Sequence, residues 1–276
     1  MSKIYLIGGF DSFGVPYTRD NKKHISFLDI LDKYLKSKKY DVTKIDMFSM
    51  STPYNDADYL NTILDEKLTI GCIHTNQEKS IGICRKSGFF QFIKLPSKTT
   101  KLYRELNEDI KDTPLTEIIK NNKVIFVYSC GANDFLKSMN TNLAELLSPR
   151  KLKEVLSDDN ITREIAKVIE KIKNNIDRLI ALNPSIKIYI MGVAVPTRVR
   201  YIRRALQDAL KTYNIKLQEL CNQYDNVHFV DNYGISNEST PLEKRHMAHV
   251  DWHPNRFGQI EMGNNLIKKI RKVSKY

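Results

Sequence analysis

Short runs of β-branched and aromatic residues alternate with amphipathic stretches along almost the whole chain, and this alternation leaves few folds open. Strand-like runs occupy residues 3–7, 42–48, 124–129, 186–193 and 227–230. Between them, apolar residues recur at helical spacing over 25–35, 56–68, 103–119, 161–182, 199–224 and 255–273, and residues 138–156 read as a helical insertion. In the first helix the stripe is Leu28, Leu31 and Leu35; in the second it is Leu60, Ile63, Leu64 and Leu68. In the long helix of 161–182 it is Ile165, Val168, Ile169, Ile172, Ile176, Leu179 and Ile180, ended by Pro184. Residues 71–100 read as loop with short strand pieces.

Strands that alternate with helices predict a parallel sheet covered on both faces. The expected fold is therefore α/β: a three-layer α/β/α, flavodoxin-like, doubly wound parallel sheet formed by one domain over residues 1–276. The stretches 55–100 and 134–160 are expected to be lids or walls inserted into it. Functional groups of such sheets gather outside the carboxyl ends of the strands. That rule directs attention to three loops, at residues 8–14, 129–135 and 196–204.

Composition narrows the function classes. Apolar residues make up 41% and charged residues 28%, ordinary values for a globular protein, and no apolar run approaches the roughly 20 residues of a membrane span. The first apolar stretch is short and runs into Gly8-Gly9, which reads as a strand and not a signal peptide, so a cytoplasmic location is expected. Cys72, Cys84, Cys130 and Cys221 are scattered with no CxxC pair and are expected to be reduced thiols. The net charge is +12, but Lys is spread over most helices with no interleaved aromatics, so nucleic acid is not the expected partner. The lysines of residues 268–275 suit the negative end of a final helix.

The first two of these loops and a segment before the last helix carry candidate chemistry. Gly8-Gly9-Phe10-Asp11-Ser12-Phe13-Gly14 follows a strand and precedes helical sequence. A Ser there can expose its hydroxyl at the sheet's rim, where a helix N-terminus favours an oxyanion. The loop has neither the Gly-Lys-Ser/Thr of a phosphate loop nor GxGxxG; taken alone it is equally a Gly-rich turn with a capping Ser. Ser129-Cys130-Gly131-Ala132-Asn133-Asp134-Phe135 sets an amide, Asn133, just past a strand end. Asp251-Trp252-His253-Pro254-Asn255 precedes the last helix and offers His253 as a general base.

Together these residues resemble the SGNH (GDSL) hydrolase family: strand-GxDS near the N-terminus, GxND after a mid-chain strand and DxHPN before the last helix occur in the family's order from residue 3 to about 270. The resemblance implies a serine-dependent ester hydrolase working through an acyl-enzyme on a lipid, acetylated sugar or other small ester, with no metal and no organic cofactor. It implies Ser12 as nucleophile, His253 as general base, and an oxyanion hole formed by the Ser12 N–H, a Gly N–H and the Asn133 side chain. The chain departs from the family pattern at three points. Phe10 replaces the Gly of GDS. Val250 stands where the family's Asp precedes the His by three positions, so either Asp251 orients His253 or the site is a Ser–His dyad. The oxyanion Gly is either Gly82 or Gly88.

Two further constellations compete for attention. His246, His249, Asp251 and His253 fall within eight residues and are all good zinc ligands, although Pro254 and the motif already account for His253. Arg198, Arg200, Arg203 and Arg204 crowd the start of a helix, where cations are unfavourable, and Arg198 and Arg200 could grip an anionic substrate group. An acyltransferase using the same acyl-enzyme, or a catalytically silent binding protein on the same fold, stands as the alternative function.

Overall fold

The computed structural model describes residues 3–9, 25–46, 57, 60–61, 64, 113–129, 158–194, 200–236 and 256–274. Five strands form one sheet: β1 (Lys3–Gly9), β2 (Asp41–Asp46), β3 (Lys123–Ser129), β4 (Lys187–Met191) and β5 (Val227–Val230). Their spatial order is β2-β1-β3-β4-β5, and every pairing is parallel. Among the described residues the helices that connect or follow them are α1 (Phe27–Ser37), α2 (Leu115–Asn121), α3 (Asp158–Leu182), α4 (Arg200–Cys221) and α5 (Arg256–Val273), with isolated helical positions at 60, 61 and 64 and a 3₁₀ turn at Tyr233–Ser236. Helix α1 packs on α5, whereas α3 packs on α2 and α4, which gives the expected three-layer α/β/α, doubly wound arrangement.

The strands read as continuous apolar runs because both faces of the sheet are covered. Residues Val124, Ile125, Phe126, Val127 and Tyr128 are all buried, as are Ile188, Tyr189, Ile190 and Met191. The helical stripes face this sheet. Leu28, Leu31 and Leu35 are buried, and so are Ile165, Val168, Ile172, Ile176 and Leu179, while Ile169 and Ile180 are half-buried at the margin. Leu60 and Leu64 are buried too; Ile63 and Leu68 lie outside the described residues.

Local chemistry sets the ends of α1. Ser26 and Asp29 form a reciprocal capping box: the Ser26 Oγ accepts from the Asp29 N–H at 3.2 Å and the Asp29 Oδ2 accepts from the Ser26 N–H at 2.9 Å. At the other end the Tyr40 N–H donates to the Leu35 carbonyl at 3.2 Å and the Lys39 N–H to the Lys36 carbonyl at 2.9 Å, a Schellman closure. Lys39 sits in the left-handed region that this closure demands, with φ 64°.

The sequence reads residues 103–119 as largely helical; residues 103–112 lie outside the described residues, Thr113 and Pro114 are non-helical, Pro114 has ψ 139°, and α2 begins at Leu115. Proline lacks the N–H a helix interior needs and disfavours helical backbone in the residue before it, so the chain starts a helix after Pro114. The 3₁₀ turn at Tyr233–Ser236 was not expected. It begins where the Asp231 Oδ1 accepts from the Tyr233 N–H at 2.9 Å.

Candidate active site

The strand order fixes where the sheet can hold a site. From β1 the chain moves to β2 on one side; β3 then pairs with the other side of β1. The described helices that next follow β1 and β3, α1 and α3, cover opposite faces of the sheet, and in sheets of this kind ligands bind outside the carboxyl edge between two such strands. In register, Gly9 is opposite Tyr128, so β1 and β3 end side by side. Among the neighbours of β3, Ser129 is opposite Met191 at the end of β4.

Each strand end is held by a specific contact. Gly8 lies under α1 so closely that a Cβ there would stand 2.6 Å from the Leu28 Cδ2, which explains a glycine at this position. Tyr128 is buried, and its hydroxyl accepts from the Asn175 Nδ2 of α3 at 2.8 Å, which also donates to the Ala57 carbonyl at 2.8 Å. Beyond β4, the Gly192 N–H donates to the Val230 carbonyl at 2.8 Å, and Asn214 of α4 bonds both backbone groups of Val193.

Helix α5 is docked against the same corner. The buried Gln259, in its first turn, accepts from the Phe27 N–H of α1 at 3.1 Å through Oε1. One turn on, Gly263 approaches Ile30 so closely that a Cβ would stand 2.6 Å from the Ile30 Cβ. The first turns of α1 and α5 are thus tied together beside the end of β1. Asp29, in the first turn of α1, is not a free base. Burial alone would raise its carboxyl, but the Lys44 ammonium, which pairs with it, and the bonds from Ser26 outweigh burial and hold it below the usual carboxylate range.

Of the sequence candidates, Ser12, Gly82, Gly88, Asn133, Arg198, Asp251 and His253 lie outside the described residues, as do His246 and His249. Arg200 is described in its backbone as the first residue of α4, whose first turn contains no acidic residue. The remaining chemistry-bearing groups serve structure. His228 lies on β5 against the Tyr189 ring, 5.3 Å between centroids, and burial together with the charges of Lys187 and Lys269 pushes its imidazole pKa down. Cys221 is a free, buried thiol whose pKa burial pushes up to about 12, in keeping with the expected reduced state. Among the described residues no cluster of His, Cys, Asp or Glu could hold a metal ion. No helix among them is long and apolar enough to cross a membrane.

Two shallow clefts line the far edge strand. One of about 310 Å³ is bordered by Asp231, Gly234, Ile235, Glu261 and Asn265. The other, of about 330 Å³, is bordered by Gln218 and by Lys268, Lys269 and Lys272. Both open at β5, which β3 and β4 separate from β1, and neither lies at the edge between β1 and β3. Sequence reasoning did not single out Gln259 or Asn214. Both are polar residues on otherwise amphipathic helices, and only the fold reveals their long-range partners.

The sheet order and its flanking helices define a doubly wound α/β protein. The chain belongs to the GDSL-like lipase/acylhydrolase family, whose model matches residues 91–266, and its chemistry is by class that of a carboxylic ester hydrolase. The matched segment begins beyond β1 and α1, so the loop with Ser12 is not part of it. Solved structures extend the likeness of fold over the whole chain. A lipase from goat rumen metagenome superposes with a TM-score of 0.57 at 9% identity, covering 100% of this chain and 99% of that one. An extracellular lipase from Streptomyces rimosus does so with a TM-score of 0.55 at 11% identity, covering 98% and 100%. A phospholipase A1 from Streptomyces albidoflavus gives 0.52 at 11% identity, covering 97% and 99%. No curated protein matches the chain.

Proposed function

We propose that the protein hydrolyses a small ester through an acyl-enzyme on Ser12, with His253 as general base. The observation that carries this reading is the switch point between β1 and β3. Ser12 lies three residues past Gly9, Asn133 four past Ser129, and His253 three before Arg256, the start of the helix docked on α1. At 3.3–3.6 Å per residue, connections this short keep each group within about 10–15 Å of the strand end or helix start beside it, which supports a common site.

The chemistry follows from need. A serine hydroxyl is a poor nucleophile at neutral pH until a base accepts its proton, and His253 supplies that base. Ser12 Oγ then attacks the ester carbonyl. The resulting oxyanion is held by the Ser12 N–H, by the Asn133 amide and by the N–H of Gly82, with Gly88 as the other choice; one such donor contributes about 3 kcal/mol at the transition state. His253 passes the proton to the departing alcohol, and water then attacks the acyl-enzyme with the same base assisting. Asp251 orients the imidazole, or His253 works with Ser12 as a dyad. No step calls for a metal or cofactor.

Arg198 and Arg200 are read as a grip for an anionic portion of the substrate, because cations at the start of a helix whose first turn holds no acidic residue oppose the helix dipole. The lipase and phospholipase A1 relatives in fold make a lipid ester one candidate substrate, with an acetylated sugar as the other. The protein is read as a single domain over 1–276, with residues 55–100 and 134–160 as walls of the site, and as cytoplasmic. Turnover of short-chain, long-chain and acetyl-sugar esters by wild type and Ser12→Ala tests the reading. Wild type is expected to hydrolyse at least one class at a rate the variant loses by 10³-fold or more, roughly the size of nucleophile removal. Equal turnover by both would overturn it. Ester exchange onto an added alcohol in place of release to water would favour the acyltransferase.

A further inference from the structure

We infer that Gln259 is a positioning residue that sets the separation between the nucleophile loop and the base loop; the inference rests on the Ser12–His253 reading above. The side chain is fully buried, at 0% exposure, on the first turn of α5. Its Oε1 accepts from the backbone N–H of Phe27, across 232 residues of sequence, at 3.1 Å. That N–H belongs to the first residue of α1, one of the donors that a helix leaves without an intrahelical partner. Ser26 and Asp29 satisfy neighbouring donors of the same turn, and Gln259 brings the acceptor for this one from another helix.

The arrangement is directional. Gly263, one turn further along α5, is in near contact with Ile30 and lets the two helices approach closely. Gln259 then fixes how α5 is rotated and shifted along α1, since an amide oxygen meets a buried N–H over a narrow range of distance and angle. The chain leaves α5 at Arg256 towards His253, and it enters α1 at Phe27 from the segment that contains Ser12. Loss of the Gln259 acceptor lets the start of α5 shift relative to α1, and the base moves with it. A displacement near 1 Å between reacting groups costs about 10²-fold in rate. Because substrate contacts are not altered, the loss belongs in kcat and not in KM.

The test compares Gln259→Leu, which keeps the volume and removes the acceptor, with Gln259→Glu, which keeps an oxygen in place. Asn183→Ala serves as a structural control. Asn183 is also buried but ties the end of α3 to the Ile119 and Asn122 carbonyls at the opposite edge of the sheet. Kinetics are measured with the best ester on the folded full-length chain, together with the rate of labelling by a fluorophosphonate. Gln259→Leu is expected to lower both kcat and the labelling rate at least tenfold with KM within about twofold. Gln259→Glu is expected to recover most of that loss, and Asn183→Ala to lose stability but not kcat. Should the Leu variant not fold, Gln259→Asn, one methylene shorter, replaces it with the same expectation. A kcat for the Leu or Asn variant equal to that of Asn183→Ala, or a Glu variant as slow as Leu, overturns the inference. Ser12→Ala and His253→Ala run alongside: wild-type turnover by either would mean that the underlying Ser–His reading has failed instead.

Discussion

Asn214 holds Val193 by both of its backbone groups: its Oδ1 accepts from the Val193 N–H at 2.8 Å and its Nδ2 donates to the Val193 carbonyl at 2.8 Å. The amide side chain acts as a one-residue extension of the sheet just beyond β4. Both partners are buried, with Asn214 at 6% and Val193 at 8% exposure, so water cannot take over either bond. The clamp fixes the direction in which the chain leaves β4 towards Arg198. Asn214→Ala leaves a buried N–H and a buried carbonyl unpaired and is expected to cost about 2–4 kcal/mol. Urea denaturation checks this, and a loss below about 1 kcal/mol would mean that the clamp is replaceable.

Lys39 gives a prediction of opposite sign. It occupies a left-handed conformation, φ 64°, at the position where a Schellman closure favours glycine. A side chain there costs about 1–2 kcal/mol, part of which glycine returns as greater freedom of the unfolded chain. Lys39→Gly is therefore expected to stabilise the protein by about 0.5–1 kcal/mol, seen as a higher Tm with unchanged ester turnover. A lower Tm would contradict the reading of α1's end.

Acid acts on the fold through His228 and through carboxylates held low in the fold: Asp29, and with it Glu164 beside Lys167 and Asp177 beside Lys173. The Asp29 carboxyl is held below its usual range in the fold, so the unfolded chain binds that proton at higher pH than the folded one. Its contribution is complete above about pH 4 and is lost as pH falls through the lower folded value. His228, also lowered in the fold, acts in the same direction nearer neutrality: stability is lost as pH falls below about 6.5, where the unfolded imidazole takes up a proton that the fold resists. Denaturation between pH 7.5 and 3 is expected to show both phases. His228→Phe should flatten the upper phase alone, and Asp29→Asn should reduce the lower phase alone, leaving the share of Glu164 and Asp177; a variant curve parallel to wild type would remove that group from the account.

The architecture was legible from periodicity. The continuous apolar runs of the strands arise from a sheet covered on both faces and the 3.6-residue stripes from helices packed on it, so β5 falls on its expected residues and the stripe of α3 faces the core. Periodicity gave no exact boundary at Pro114, where an apolar pattern read as largely helical runs across a residue that a helix interior excludes, and α2 starts just after it. The site was legible in a different sense. Loops past strand ends can be found from the strands, and three spaced motifs suggested the family before any fold was known. What sequence could not show was the support behind those loops. Gln259 meets Phe27, Asn214 meets Val193 and Asn175 meets Tyr128 only after the helices have packed, and nothing in the local pattern marks one buried amide from a solvated one.

The central claim is that Ser12 is the nucleophile, and covalent capture tests it most directly. The protein is treated with a fluorophosphonate at neutral pH, digested, and the modified residue located by mass spectrometry. The account predicts one adduct, on Ser12, formed together with loss of ester hydrolysis and absent from both Ser12→Ala and heat-denatured protein. Complete inactivation with the adduct on any other residue, or labelling undiminished in Ser12→Ala, would contradict it.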